Sequence, residues 1–178
     1  MNVMVDLETL STKANAVILT IGAIKFNEKD NIGEGEKDTF YMRVNIESCR
    51  QLGLDINPET EKWWDSQPLD VRDEAFNPED THNIKSVLEK FSAWFKGSKY
   101  IWSQGANFDV PILSEVYSRL NISPPWKYWD VRDTRTAYMM GNFNPMSLPQ
   151  NSKHHALEDC RRQIYGVKKS FRNICNSY

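Results

Sequence analysis

Asp6 and Glu8 stand two residues apart in the apolar run Val3-Met4-Val5-Asp6-Leu7-Glu8-Thr9. Side chains on a strand alternate faces, so both carboxylates project from the same face. Two acids held side by side repel each other unless a cation lies between them. Hard, oxygen-loving cations such as Mg²⁺ or Mn²⁺ meet that demand. Taken alone, the run reads equally as an edge strand with acids on its wet face. Two further segments add weight to the metal reading. Asn107-Phe108-Asp109 sets a carboxylate at a strand-to-helix turn. His154-His155-Ala156-Leu157-Glu158-Asp159 sets a histidine on a loop and Asp159 in the first turn of the last helix. Asp6, Glu8, Asp109 and Asp159 thus come from three distant segments, each at a strand end or helix start, where an open sheet commonly builds its site. Two divalent ions about 3.5–4 Å apart need several carboxylates, and such a pair can clamp a phosphodiester. A histidine beside the attacking water can take its proton near neutral pH.

The elements that must position these groups are legible from periodicity and turn residues. Ala16 to Asn27 reads as a long strand, with Gly22 marking a bulge or a close backbone approach. Glu28 to Asp38 reads as a hairpin turn, and Thr39 to Val44 as the returning strand. Residues 47 to 80 are polar and helical in parts. Within them Pro58 to Asp65 forms a short helix with proline in its first turn and acids near its start. In Asn83 to Phe95, the stripe Ile84, Val87, Leu88, Phe91 and Phe95 keeps helical spacing, and Gly97 follows as a stop. Tyr100 to Ser103 is a short buried strand, and a helix runs from about Phe108 to Leu120. Residues 141 to 153 read as a loop. The final helix starts near Ala156, with Leu157, Cys160, Ile164, Val167 and Phe171 as its buried stripe. A strand meander followed by alternating strands and helices predicts an α/β sheet of mixed strand direction.

The chain has 178 residues, of which 40% are hydrophobic and 26% charged, enough for one domain with a sizeable core. No apolar run approaches the roughly 20 residues that cross a bilayer, so no membrane association is expected. A strand begins at once with no basic leader, so no secretory signal is expected. Cys49, Cys160 and Cys175 suit reduced structural thiols in the cytoplasm better than a disulfide framework. A net charge of -2 argues against a broad DNA-coating surface. It leaves room for an acidic site that reaches nucleic acid through bound metal, whose charge would invert the local electrostatics.

Val5-Asp6-Leu7-Glu8-Thr9, Asn107-Phe108-Asp109 and His154-x-Ala156-Leu157-x-Asp159 resemble the three exonuclease motifs of the DEDD superfamily, histidine (DEDDh) branch. That branch includes oligoribonuclease, ribonuclease T and the proofreading subunit of bacterial replicative polymerase. Thr60-Glu61-Lys62-Trp63-Trp64-Asp65-Ser66-Gln67 and Arg132-Asp133-Thr134-Arg135-Thr136 resemble segments of the phage exonuclease A group, to which ribonuclease AS also belongs. The resemblance implies a ribonuclease-H-like fold, with an antiparallel three-strand meander plus parallel strands, flanked by helices, as a single domain over residues 1–178. It implies a metal-dependent 3′–5′ exonuclease that releases nucleoside 5′-monophosphates from single-stranded DNA or RNA ends. Asp6, Glu8, Asp109 and Asp159 match the acids that hold two Mg²⁺ or Mn²⁺ ions, and His154 matches the general base. Relatives also suggest a homodimer. One departure is Ser103-Gln104-Gly105-Ala106-Asn107, where many members carry a Gly-His-Asn-type stretch.

Other residues keep two readings. Trp63 and Trp64 are anchors covering the sheet edge, or one of them is a platform for a nucleotide base. Phe108 joins them as a candidate stacking wall. Gln104 and the backbone of Leu7, Thr9 and Leu10 are candidate sugar and base contacts. Arg132, Asp133 and Arg135 form an internal salt-bridge set, or Arg135 meets a substrate phosphate with its planar fork. His155 reads as a loop-packing residue and His82 as incidental. Two rivals stand beside the exonuclease: an endonuclease of the same fold, and a nucleic-acid-binding module without chemistry. DNA against RNA depends on contacts to the 2′-hydroxyl, which no motif here reports.

Overall fold

The structure is a computed structural model that describes residues 1–148 and 154–176. Residues 149–153 of the expected 141–153 loop lie outside the described residues. The first strand, β1 (Asn2–Thr9), is central and loses both faces to the core. Val3, Met4 and Val5 are fully buried. It pairs antiparallel with β2 (Ile18–Phe26), which pairs antiparallel with β3 (Thr39–Val44). This is the expected meander. β2 starts two residues later than the sequence suggested, because Ala16 leaves the sheet for an isolated bridge to Asp55.

Three short parallel strands complete the sheet. They are β4 (Thr81–His82) beside β3, β5 (Tyr100–Ser103) beside β1, and β6 (Val131–Asp133) beside β5. The order is β4-β3-β2-β1-β5-β6. Seven helices among the described residues flank it, and the architecture is consistent with a ribonuclease-H-like fold. They are α1 (Ile46–Arg50), α2 (Pro58–Asp65), α3 (Leu69–Phe76), α4 (Ile84–Phe95), α5 (Asp109–Arg119), α6 (Thr134–Met140) and α7 (Ala156–Asn176). The segment from 141 carries a single 3-10 turn at Pro145–Ser147. No helix among the described residues is long and apolar enough to cross a membrane.

The alternation of β1 divides the core. Val3, Val5 and Leu7 face a large cluster built with Trp64 of α2, the Ile84–Phe95 stripe of α4 and Ile112, Leu113 and Val116 of α5. Met4, on the opposite face, joins Ile24, Phe26 and Trp102 under α6 and α7, against Cys160, Ile164 and Val167. Asp6 and Glu8 continue the Met4 face and therefore look toward the start of α7.

Gly22 explains how α7 comes that close. It pairs with Asp6 across the sheet. A Cβ at Gly22 would lie 2.6 Å from the Ala156 Cβ and 2.7 Å from its carbonyl carbon. The first turn of α7 thus rests directly on the β2 backbone, which brings Asp159 over the acids. Of the two meanings the sequence allowed for this glycine, close approach is the observed one. The bulge in the strand pair falls at Glu8 and Thr9.

Candidate active site

Each acid is set by an element whose local sequence explains its placement. Asp6 and Glu8 share one face of β1, at the end of a strand fixed by burial on both sides. Asp109 opens α5, and its Oδ1 accepts the Leu7 amide at 3.1 Å, tying the helix start to the acid strand. Asp159 lies in the first turn of α7, where the His155 carbonyl accepts its amide. Ligand oxygens of Asp6, Glu8 and Asp159 all fall within 4.8 Å of one another. All four carboxylates and His154 line one cavity of about 550 Å³.

Crowding shows in the electrostatics. Burial lifts the Asp6 carboxyl well above the ordinary range, helped by Asp109, Glu8 and Asp159, while the Gln163 amide opposes the shift. Burial, then Asp159 and Asp109, pushes Glu8 up to about 8. Burial pushes Asp109 up to about 7, against the lowering effect of the Leu7 amide. These groups resist ionisation chiefly because they are buried, and secondly because neighbouring carboxylates repel them. An all-oxygen donor set of this density fits a hard divalent cation.

His154 sits just ahead of α7 with φ of 62°, a left-handed conformation uncommon outside glycine. The Trp63 ring meets it edge-on at 4.7 Å and 90°, and Trp64 lies 6.3 Å away. The two tryptophans have different surroundings. Trp64 is 2% exposed and donates its indole N–H to the Thr9 carbonyl at 2.9 Å, so it anchors α2 to the end of β1. Trp63 is 41% exposed and flanks the cavity. Asn57 caps α2 by accepting the Glu59 amide, which fixes the helix that presents Trp63.

Of the other candidate contacts, Leu7, Thr9, Gln104 and Phe108 line the cavity. Leu10 does not. Its side chain is buried in the large cluster, its amide bonds the Val17 carbonyl, and its carbonyl accepts from Asn57. Arg135 is also outside the lining and packs its guanidinium beside Gly105.

The expected salt-bridge set at 132–135 is not formed among the described residues. Asp133 instead caps α6, accepting the Arg135 and Thr136 amides, and also takes the Gly105 amide at 3.0 Å. Arg132 lies over the Tyr100 ring and donates to the Trp129 carbonyl. His155 stacks on Tyr41 with ring centres 5.0 Å apart. Cys49, Cys160 and Cys175 are free thiols.

Sequence reasoning gave no site role to Thr12, Asn57, Glu59, Thr60, Arg162 and Gln163, which complete the lining. Arg162 Nη1 lies 2.6 Å from Asp159 Oδ1. Gln163 Nε2 donates to Asp6 Oδ1 at 2.7 Å. Spacing could have found both, since positions three and four beyond Asp159 share its face of a helix.

Comparison with curated proteins finds no match. Comparison with protein families matches residues 1–171, nearly the whole chain, to the 3'-5' exoribonuclease Rv2179c-like domain. With the acid-lined cavity and the mixed sheet that frames it, that match places the chain in the Rv2179c-like 3'-5' exoribonuclease family.

Proposed function

We propose that the chain is a metal-dependent 3′–5′ exonuclease of the DEDDh type, that it shortens single-stranded RNA, and that Asp6, Glu8, Asp109 and Asp159 hold two Mg²⁺ or Mn²⁺ ions. The observation that carries the reading is the acid cluster. Three carboxylates with ligand atoms within 4.8 Å line a cavity alongside a fourth, Asp109, and an imidazole. Burial and mutual repulsion keep Asp6, Glu8 and Asp109 hard to ionise, a condition that a bound cation relieves. When bound, the ions supply positive charge to a phosphodiester under displacement and acidify the attacking water.

The chain's own residues do the rest. A His154 ring nitrogen accepts the proton as the water oxygen bonds to phosphorus. The bond from phosphorus to the 3′-oxygen of the penultimate nucleotide breaks, and that oxygen takes a proton from solvent water to become the 3′-hydroxyl of the shortened chain. The last nucleotide departs as its 5′-monophosphate. Trp63, edge-on to His154, and Phe108 bound the space for the terminal base, and aromatic faces suit any base. Trp64 acts as an anchor, through its bond to Thr9. The family description favours RNA. Thr12, Thr60 and Gln104 bring hydrogen-bonding groups of the kind a ribose 2′-hydroxyl uses.

The test is a time course on matched 5′-labelled single-stranded RNA and DNA, with Mg²⁺, with Mn²⁺ and with chelator, beside an Asp6→Asn control. Stepwise shortening that requires metal, runs faster on RNA and vanishes in the control is expected. Internal fragments appearing first would make the enzyme an endonuclease. Binding without turnover would leave a binding module.

A further inference from the structure

We infer that Arg162 is the substrate-phosphate contact of this site, held in reserve on Asp159 until a divalent cation takes that carboxylate. The inference rests on the metal reading above.

Five carboxylates line the cavity, namely Asp6, Glu8, Glu59, Asp109 and Asp159. Arg162 is the only lysine or arginine among the described lining residues. A phosphodiester entering this cavity meets an excess of negative charge and one guanidinium. That guanidinium lies one helical turn beyond Asp159 on α7, with Nη1 2.6 Å from Asp159 Oδ1. Its side chain is 27% exposed, so it borders the cavity. Its Nε is buried and has no hydrogen-bond partner. An arginine normally satisfies its donors, and a buried unpaired N–H is costly. The fork is therefore only partly used by Asp159.

Asp159 offers a carboxylate oxygen to the trio that could hold a cation, and its Oδ1 is already paired with Arg162, so one carboxylate is shared between the cation site and the guanidinium. Two positive charges on one carboxylate repel, so cation entry weakens the Arg162 pair. The freed fork, with its geometry matched to phosphate oxygens, then faces the substrate. The pair neutralises Asp159 in the metal-free protein and turns metal binding into a signal that readies the phosphate contact.

The experiment combines Mn²⁺ titration by calorimetry, without substrate, with hydrolysis of 5′-labelled single-stranded RNA at saturating Mn²⁺. It uses the full chain, Arg162→Gln and Arg162→Lys. Arg162→Gln removes a competing positive charge, so Mn²⁺ affinity is expected to rise about three- to tenfold. The same variant is expected to lose about ten- to a hundredfold in kcat/KM. Arg162→Lys keeps the charge without the fork, and is expected near the native Mn²⁺ affinity with intermediate activity. A merely structural arginine would not raise metal affinity while lowering activity. Native Mn²⁺ affinity or native kcat/KM in Arg162→Gln overturns the inference and leaves the metal reading intact. No Mn²⁺ binding by the native chain, with no metal-dependent shortening, sinks the metal reading and this inference together.

Discussion

Glu8 is 8% exposed and Asp109 3% exposed, and each is destabilised as an anion first by burial and then by Asp159, with Asp109 adding to the effect on Glu8. Removing one of these charges relieves repulsion in the metal-free protein. Glu8→Gln is therefore expected to raise the melting temperature at pH 8 in chelator, by about 2–4 °C for each kcal/mol relieved in a chain of this size. The same substitution removes a proposed metal oxygen, so RNA shortening should fall by about a hundredfold or more. Thermal melts and a gel time course on one preparation test both. A lower melting temperature would mean that Glu8 holds the fold together by contacts rather than straining it by charge. At this scale much was legible in the sequence. Alternation along β1 put Asp6 and Glu8 on one face, and helix-start positions marked Asp109 and Asp159. Arg162 and Gln163 were also within reach, since helical spacing puts them on the face of Asp159, but their partners, Asp159 and Asp6, show only once α7 is packed on β2.

The placement of α7 turns on a single missing methyl group. With the Ala156 and Leu157 backbone less than 3 Å from a Cβ at position 22, neither strand nor helix can yield cheaply. Gly22→Ala should cost about 1–3 kcal/mol by overpacking and lower the melting temperature. It should also lower activity, because the displaced turn carries Asp159. Equal loss of stability with full activity would show that α7 can shift without moving its acid. The α2 anchor permits a second test. Trp64→Phe keeps most of the buried ring but leaves the Thr9 carbonyl without its indole donor, an expected loss of about 1–3 kcal/mol by denaturant titration. Elements with clear start signals or strand composition were readable in advance, as the first-turn proline of α2 and the boundaries of β3 illustrate. β4 and β6 were not, since two or three residues cannot display alternation and their pairing is with strands distant in sequence. Asp133 was read for its charge when its position as a helix cap was the better signal.

For the molecule as a whole, the acids couple folding to protons and, on the proposed reading, to metal. Glu8 titrates near 8 in the fold against an ordinary 4.5, and Asp109 near 7 against 3.8. Between those limits the folded chain binds more protons than the unfolded one, so its stability falls as pH rises. Their stabilising contribution is fully present below about pH 4 and is lost by about pH 8. A divalent cation acts in the opposite sense. Bound at the proposed site, it would compete with protons for the same oxygens, bind best when they are ionised, and stabilise the fold by mass action. The melting-temperature gap between Mn²⁺ and chelator should therefore be small at pH 5 and widen steadily to pH 8. In chelator alone, the melting temperature should decline across that range. Scanning fluorimetry at several pH values, with the Asp6→Asn variant alongside, separates the linkage from general acid or base effects. The variant should show a shallower decline and a reduced gap. A gap independent of pH would place the Mn²⁺ away from the buried carboxylates, and the acid cluster would then need another explanation for its crowding.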